Sequence, residues 1–287
     1  MVAAPPFRMV ATDIDGTLVD DNGSLSPVSI QVLRQLLDRG IVVMLVTGLN
    51  PWPARRYTEQ IGRGIRALCL NGIFLLEDGE IRSGAFIDPD VAREAAKFLQ
   101  AQGYIPLVYG ADNVSRYMPE GAPEAMSKVA ELVAARPYQP YQPVADFDTL
   151  FTVQPAQVSI SDTDQRAATI YPALKNAVGD RAYVVYQPTA STDRSWVEVN
   201  HPQARKDAAL ISLAAKMGIP PAEILYFGDS LNDIPVFKAL AHPVAVANAR
   251  PEVLDLAWQT TLTNNAHGVA HFLTTTFDLE RKNTQYA

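Results

Sequence analysis

Residues 9–17 read MVATDIDGT, a short apolar run followed at once by two aspartates and a glycine. The apolar run predicts a buried strand from Met9 to Thr12. Asp13 and Asp15, two positions apart, would leave the end of that strand on one side, where open α/β sheets bind their ligands. Gly16 permits a tight turn in which peptide N–H groups can face an anion. The motif predicts a functional site; the alternative is a polar loop that is acidic but has no function.

The segments around this stretch predict a β-α-β alternation. Ser26-Pro27 is typical of a helix N-cap followed by proline in the first turn, and Ile41 to Val46 is typical of a strand buried on both faces of a parallel sheet. Helical patterns and short apolar strands alternate again at Lys206 to Met217, Ile224 to Phe227, Asn232 to Leu240 and Val244 to Ala247. These patterns predict an α/β fold, a Rossmann-like parallel sheet core with helices on both faces.

The middle of the chain has a different pattern. Phe74 to Ile87 predicts a hairpin around an Asp78-Gly79 turn, Pro89 to Gln102 predicts a helix, and Arg136 to Pro143 predicts an irregular connection. Further strands and helices are predicted at Tyr104 to Tyr109, Pro123 to Ala135, Gln157 to Ser161, Gln165 to Val178, Ala182 to Tyr186 and Trp196 to Val199. We expect an inserted α+β domain over residues 87–198, within an α/β domain formed by residues 1–86 and 199–287.

The composition of this chain indicates which partners and which cellular compartment to expect. Its 287 residues are 48% hydrophobic, enough for a substantial core, and 31 acidic residues against 24 basic ones make nucleic acid an unexpected partner. Cys69 is the only cysteine, which excludes an intramolecular disulfide and is typical of a reducing compartment. Residues 1–9 lack the apolar stretch of a signal peptide, and no segment approaches the roughly 18 apolar residues of a membrane span. We expect a cytoplasmic protein; a monomer and a homo-oligomer both remain open.

A second acidic motif, GDSLND at residues 228–233, follows the strand predicted at Ile224 to Phe227. Alone it could be a helix N-cap with acidic residues favoured by the helix dipole. Together the two motifs place several carboxylates at one sheet edge, where each close pair would repel by about 4 kcal/mol at an effective dielectric of 20. A hard divalent cation would offset that repulsion. Oxygen ligands with positions left for water and phosphate favour Mg2+ over zinc.

Three weaker elements fit a phosphate site at the same edge. Thr47-Gly48 ends the strand Ile41 to Val46 and would place a hydroxyl and flexible backbone beside Asp13, or it is an ordinary strand-to-loop transition. Lys206 opens a helix and could neutralise a phosphate, or it is a solvated lysine. Asn71-Gly72 closes another apolar run, and its amide could contact substrate or only stabilise the turn.

The order D-x-D-G-T, T-G, lysine and G-D-S-x-N-D resembles the motifs of the haloacid dehalogenase superfamily, in sequence order and over nearly the whole chain. The large insert between Thr47-Gly48 and Lys206 looks like the cap of the Cof-like sugar phosphatases. The Asn71-Gly72 element and the closing segment Asn264 to Val269 also look like that group.

This resemblance implies a role for each motif residue. Asp13 would be the nucleophile that forms an aspartyl-phosphate, and Asp15 would be the general acid and then the base. Asp229 would bind Mg2+ with the Asp13 carboxylate and the Asp15 main-chain oxygen. Asp233 would belong to the metal site as well, orienting the metal shell or Lys206.

The phosphate would be held by further residues of the same motifs. Thr47 and Lys206 would hold and neutralise its oxygens during transfer. The other residues expected to contact phosphate or substrate are Ile14, Gly16, Gly48, Asn71 and Asn232.

Some positions depart from the family pattern, and these put specificity rather than core chemistry in doubt. Leu49 and Asn50 follow T-G where many relatives have arginine, and Asp207 follows the motif lysine where glycine is common. His201 and Arg205 could supply polar contacts instead, but an ordinary surface position is the preferred interpretation of each. In the insert, Tyr109, Arg116, Tyr117 and Met118 could face substrate or belong to a packed or solvent-facing loop.

The expected function is a Mg2+-dependent phosphatase acting on phosphomonoesters, with small sugars or related metabolites as the implied substrates. The alternatives are a sugar phosphomutase of the same superfamily, which would return the phosphoryl group to a sugar, and a non-catalytic sugar-phosphate sensor. A dehalogenase is a weaker alternative because that chemistry has no use for Asp15 and a magnesium cluster.

Overall fold

The structure is a computed structural model and describes residues 7–135, 139–188 and 194–279. The chain forms two compact units: one comprises the residues up to Ser83 and from Lys206 onward, and the other comprises Gly84–Arg205. The borders expected from the sequence, 86/87 and 198/199, and the assignment of the second unit as a cap domain stay predictions.

Strands and helices alternate along both units. In chain order the strands are β1 (Met9–Thr12), β2 (Val42–Val46), β3 (Arg66–Cys69), β4 (Phe74–Glu77), β5 (Glu80–Gly84), β6 (Leu107–Gly110), β7 (Ser115–Tyr117), β8 (Tyr141–Pro143), β9 (Pro155–Thr163), β10 (Tyr183–Pro188), β11 (Arg194–Asn200), β12 (Ile224–Gly228), β13 (His242–Val246) and β14 (Gln259–Thr261). The helices are α1 (Pro27–Asp38), α2 (Pro51–Ile61), α3 (Pro89–Ala101), α4 (Pro123–Ala135), α5 (Asp164–Val178), α6 (Lys206–Lys216), α7 (Ile234–Ala239), α8 (Pro251–Leu254) and α9 (Gly268–Thr276).

The first unit is built on a sheet whose eight described strands follow the order β14-β13-β12-β1-β2-β3-β4-β5. β1 lies between β12 and β2, and both run parallel to it. The pairs β12–β13, β13–β14 and β2–β3 are parallel as well, so the carboxyl ends of these strands share one edge. The predicted Rossmann-like sheet is thereby confirmed. Every residue of β1 is buried, as expected for a strand covered on both faces.

Helices complete this α/β layer in two packed groups, with α1 against α2 and α9, and α6 against α7. The start of α1 follows from its sequence: the Ser26 hydroxyl accepts a hydrogen bond from the Ser29 N–H at 3.1 Å, and Pro27 occupies the first turn. Gly40, with φ of 77°, lets the chain leave the helix and enter β2.

The predicted hairpin is present at the far edge of this sheet, where β4 and β5 are neighbouring strands joined at Asp78-Gly79. β4 also runs antiparallel to β3. Asp78 and Gly79 have φ of 49° and 79°, the left-handed conformation that a tight hairpin turn requires. The second strand ends at Gly84 rather than at the predicted Ile87. Cys69 is buried at the end of β3, and this burial raises the pKa of its thiol, as expected for a core residue rather than a nucleophile.

The second unit contains a sheet in which the six described strands follow the order β10-β11-β9-β6-β7-β8. Its pairs are antiparallel except β7–β8. Helices α3 and α5 cover one face, and their apolar side chains share a core with alternate residues of the central strands, such as Val158 and Val197. This unit mixes helices and antiparallel strands, as predicted for an α+β module.

Two predictions for this unit need correction. The strand expected from Tyr104 begins only at Leu107. The connection expected to be irregular over Arg136 to Pro143 contains the short strand β8, while residues 136–138 lie outside the described residues. β8 pairs with β7 at the edge of the sheet, and an edge strand tolerates proline because one side of its backbone needs no partner.

A last correction concerns the helix expected from Asn232. A 3-10 turn covers Leu231–Asp233, and α7 starts only at Ile234. In the described parts of the chain, no helix combines the length and apolar character that crossing a membrane requires.

Candidate active site

The structure brings the predicted catalytic residues together within the first unit. Asp13 follows β1, Thr47 follows the neighbouring strand β2, and Asp229 follows β12 on the other side. Lys206 is the first residue of α6. Because β1, β2 and β12 are parallel neighbours, their carboxyl ends place these side chains at one edge of the sheet.

Lys206 is the centre of the cluster and is only 2% exposed. Its Nζ lies 3.0 Å from Asp13 Oδ1 and 2.7 Å from Asp233 Oδ1. Burial alone would lower the pKa of this ammonium group, but the charges of Asp13 and Asp233 and their hydrogen bonds outweigh burial and raise it. Lys206 therefore carries a fixed positive charge beside Asp13.

Asp233 receives hydrogen bonds on both carboxylate oxygens. Oδ1 accepts from Lys206 Nζ and from the Tyr226 hydroxyl at 2.6 Å, and Oδ2 accepts from the main-chain N–H groups of Asp229 and Ser230, both at 3.0 Å. These four donors occupy the roughly four acceptor positions of a carboxylate. Although Asp233 lies within metal-binding distance of Asp13 and Asp229, this saturation favours a role in orienting Lys206 over direct metal ligation.

Asp13 and Asp229 are the carboxylates better suited to hold a cation. Burial, followed by the charges of Asp233, Asp229 and Asp15, raises the pKa of Asp13 well above its usual range despite the opposing charge of Lys206. Burial also raises the pKa of Asp229 to about 6, against the hydrogen bond from Thr17. Such raised values mean that the protein alone does not compensate these negative charges. A divalent cation with hard oxygen ligands fits this donor set.

The loop that follows Asp13 is pressed against Asp229. Thr17 Oγ1 donates a hydrogen bond to Asp229 Oδ1 at 2.5 Å. Gly16 has φ of 76°, and a Cβ at this position would lie 2.6 Å from Asp229 Oδ2. Only glycine allows this approach, which explains the residue type in the D-x-D-G-T motif.

Asp15 differs from Asp13 because its side chain is exposed to solvent. The protein around it still desolvates the carboxyl group in part and raises its pKa, while the positive charges of Lys206 and Arg56 act in the opposite direction. A raised pKa keeps a larger share of this carboxyl protonated near neutral pH, which suits a group that donates a proton.

Residues that follow β2 and β3, on the other side of Asp13 from Asp229, are connected by hydrogen bonds. The buried hydroxyl of Thr47 accepts from the Leu49 N–H at 3.0 Å, and the Asn71 N–H donates to the Thr47 carbonyl at 2.9 Å. Asn71 has φ of 57° and accepts on Oδ1 from Asn232 Nδ2 at 3.1 Å. Asn232 Oδ1 is buried and accepts no hydrogen bond from the described residues. Hydrogen bonds thus link Thr47, Asn71 and Asn232 beside Asp13.

Two predicted phosphate contacts can act only through the main chain. The Ile14 side chain is fully buried, and its carbonyl accepts from the N–H groups of Thr17, Leu18 and Val19. Gly48 has no side chain and lies in the half-buried bend after β2.

The structure places several other predicted residues in the second unit. Arg116 is buried and forms two hydrogen bonds with Asp112, at 3.0 and 2.5 Å. Met118 packs against the core shared by α3 and α5, Arg205 lies over the Tyr183 ring, and His201 accepts from the Gln203 N–H. The remaining members of this group are Tyr109 in β6 and Tyr117 in β7.

Functional residues that the sequence analysis missed lie close to the predicted ones. Thr17 belongs to the quoted motif but received no role, and Tyr226 was counted only as an apolar strand residue. The sequence did indicate a polar role for Tyr226, because a tyrosine in the middle of a buried strand needs a hydrogen-bond partner for its hydroxyl. Arg56 on α2 acts on Asp15 at a distance, and no sequence spacing pointed to it.

Aspartates and a buried lysine thus lie together at the carboxyl ends of parallel strands, an arrangement that could accept an anionic group and a cation. A family model of haloacid dehalogenase-like hydrolases matches residues 10–273. The chain belongs to this family, and the resemblance predicted from its motifs is confirmed.

Relatives extend over nearly the whole chain. It is 26% identical to phosphatase YwpJ of Bacillus subtilis, over 93% of this chain and 99% of that protein. It is 23% identical to 5-amino-6-(5-phospho-D-ribitylamino)uracil phosphatase YwtE of the same organism, over 93% and 97%. A haloacid dehalogenase-like hydrolase from Bacteroides thetaiotaomicron superposes with a TM-score of 0.76 at 20% identity, over 94% of this chain and 100% of that one, and shares the fold. The predicted enzyme class is confirmed as a haloacid dehalogenase-like hydrolase with phosphatase relatives.

The hydrogen bonds of Asp233 lead to a test of its role. Asp233→Asn should lower kcat and should raise the Kd for Mg2+, measured by isothermal titration calorimetry, by less than Asp229→Asn does, because Asp233 would hold Lys206 and the Asp229 N–H in place without binding the ion. Asp229→Asn is the matched variant and should raise that Kd by at least about tenfold. An equal loss of Mg2+ affinity in both variants would show that Asp233 is a metal ligand.

Proposed function

We propose that this protein is a Mg2+-dependent phosphatase that transfers the phosphoryl group of a small phosphorylated metabolite to Asp13 and then to water. The observation that carries the proposal is the position of Asp13: a buried carboxylate 3.0 Å from a buried ammonium group, at the carboxyl end of the central strand. Phosphoryl transfer depends mainly on positioning and charge stabilisation, and this cluster supplies both.

The first step forms a bond between an Asp13 carboxylate oxygen and phosphorus and breaks the bond from phosphorus to the ester oxygen. Asp15, protonated at this stage, gives its proton to the departing alcohol oxygen. In the second step, the Asp15 carboxylate takes a proton from water, whose oxygen attacks phosphorus and releases Asp13 and inorganic phosphate. The raised pKa of Asp15 supports the protonated starting state.

Charge stabilisation comes from groups that are already in place. Lys206 already carries its positive charge before the reaction and would neutralise a phosphoryl oxygen, and the Thr47 hydroxyl would hold another oxygen. Asp13, Asp229 and the main-chain oxygen of Asp15 would hold Mg2+, which would supply positive charge to stabilise the phosphoryl group during transfer. Asp233 would keep Lys206 directed at Asp13.

The substrate class rests on resemblance and on the relatives. Phosphatases among the curated relatives support a small phosphorylated molecule, and the Cof-like pattern supports a sugar phosphate or a related metabolite. The net charge of -7 gives no support to a nucleic-acid substrate. The cytoplasmic location stays a prediction.

A panel of phosphorylated metabolites, assayed for released inorganic phosphate with Mg2+ and with EDTA, tests the proposal. We expect hydrolysis of one or more sugar phosphates that depends on Mg2+ and falls by at least about a thousandfold in Asp13→Asn, because the amide cannot act as the nucleophile. Asp38→Asn is the matched control, since Asp38 is exposed at the end of α1, and it should retain wild-type turnover.

The panel also separates the alternatives. Transfer of phosphate to a second position of the sugar without release of inorganic phosphate would identify a mutase. Binding of sugar phosphate without any turnover would identify a sensor, and normal hydrolysis by Asp13→Asn would refute the assigned nucleophile.

The two tasks of Asp15 predict an unusual time course for Asp15→Asn with p-nitrophenyl phosphate. The p-nitrophenolate leaving group needs no proton, so the first step should proceed and release p-nitrophenolate equal to the enzyme concentration. Hydrolysis of the aspartyl-phosphate needs a base, so the steady rate should then fall by about a hundredfold or more. Stopped-flow absorbance measures both phases. Wild-type steady turnover in this variant would contradict the role of Asp15 as the base.

A further inference from the structure

The loop after β13, residues 247–250, contacts both segments of the proposed metal site. Asn248 Nδ2 donates a hydrogen bond to the Gly16 carbonyl at 2.7 Å. Two residues later, the Arg250 N–H donates to the Asp229 carbonyl at 2.9 Å. One short loop therefore holds the main chain of the segment that follows Asp13 and the main chain of Asp229.

The position of Gly16 matters because no free space separates it from Asp229. A Cβ on Gly16 would lie 2.6 Å from Asp229 Oδ2, and the next residue, Thr17, donates to Asp229 Oδ1 at 2.5 Å. The Gly16 peptide also follows directly after Asp15, whose main-chain oxygen is a proposed ligand. A displacement of the Gly16 carbonyl would therefore shift the positions of two proposed metal ligands, the Asp15 main-chain oxygen and the Asp229 carboxylate.

The Asn248 amide is itself held in one orientation. Its Oδ1 accepts from the Asn264 N–H at 2.9 Å, so its Nδ2 must face Gly16. Asn264 is buried, and its own amide donates to the Val19 carbonyl at 3.1 Å and to Asp21 Oδ1 at 2.9 Å. Asn248 and Asn264 thus fasten the segment from Gly16 to Asp21 at three points.

We propose that Asn248 is a positioning residue for the metal site: its amide fixes the Gly16 carbonyl and thereby the geometry of Asp15 and Asp229. The inference rests on the proposed function, because it assumes that these residues hold Mg2+. Groups that orient metal ligands typically change metal affinity by about 10–100-fold when they are removed. Asn248 is exposed, so its replacement should leave the fold intact.

The test compares Mg2+ binding by wild type and Asn248→Ala, using isothermal titration calorimetry on the full chain. We expect Asn248→Ala to raise the Kd for Mg2+ by about tenfold and to raise the Mg2+ concentration for half-maximal turnover in parallel. At saturating Mg2+, the KM for the phosphate ester should stay close to wild type. Asn248→Gln keeps the amide donor and should recover part of the lost affinity.

Asn265→Ala is the matched control, because among the described residues Asn265 bonds the segment from Gly16 to Asp21 only at Asp21, through hydrogen bonds of 2.8 and 3.1 Å. It should leave Mg2+ affinity near that of wild type. An unchanged Kd in Asn248→Ala, or an equal loss in Asn265→Ala, would overturn the inference. A wild-type protein that binds Mg2+ but hydrolyses no phosphate ester would instead refute the proposed function, so the two failures are distinguishable.

Discussion

Lys206 lies out of contact with solvent, and the carboxylates of Asp13 and Asp233 keep it charged there. Removing one partner of a buried ion pair costs about 3–5 kcal/mol, so these three groups constrain one another and the elements that carry them. Asp13 must follow β1, Asp233 must follow β12, and α6 must begin beside both. The same interaction that stabilises the sheet edge holds a permanent positive charge next to the proposed nucleophile.

Much of this arrangement could be predicted from the sequence, because its parts depend on local patterns. Apolar runs predict the parallel strands, and parallel neighbours place their carboxyl ends at one edge. D-x-D-G-T and G-D-S-x-N-D come at the ends of two such strands. Their aspartates therefore meet at that edge, near Lys206, whatever structure the inserted middle of the chain adopts. The glycine of the first motif has an equally local cause, which is the close approach of Asp229.

Other features could not be predicted because they depend on contacts between distant segments. The saturation of Asp233 involves the hydroxyl of Tyr226, which looks like an apolar strand residue in the sequence. The hydrogen bond of Asn248 to Gly16 joins positions more than two hundred residues apart and follows no spacing rule. Strand β8 exists because β7 offers it an edge, and the proline-rich sequence around it favours a loop. Contacts between distant segments decided each of these cases, and in β8 they overrode the local preference for a loop.

The central claim is that phosphate passes through a covalent bond to Asp13. Borohydride reduction of the protein during turnover of a good substrate, followed by peptide mass spectrometry, tests it most directly, because borohydride converts an aspartyl-phosphate to homoserine. The account predicts homoserine at position 13, formed only when substrate and Mg2+ are both present. Rapid turnover that leaves Asp13 unmodified, or homoserine at another aspartate, would contradict it.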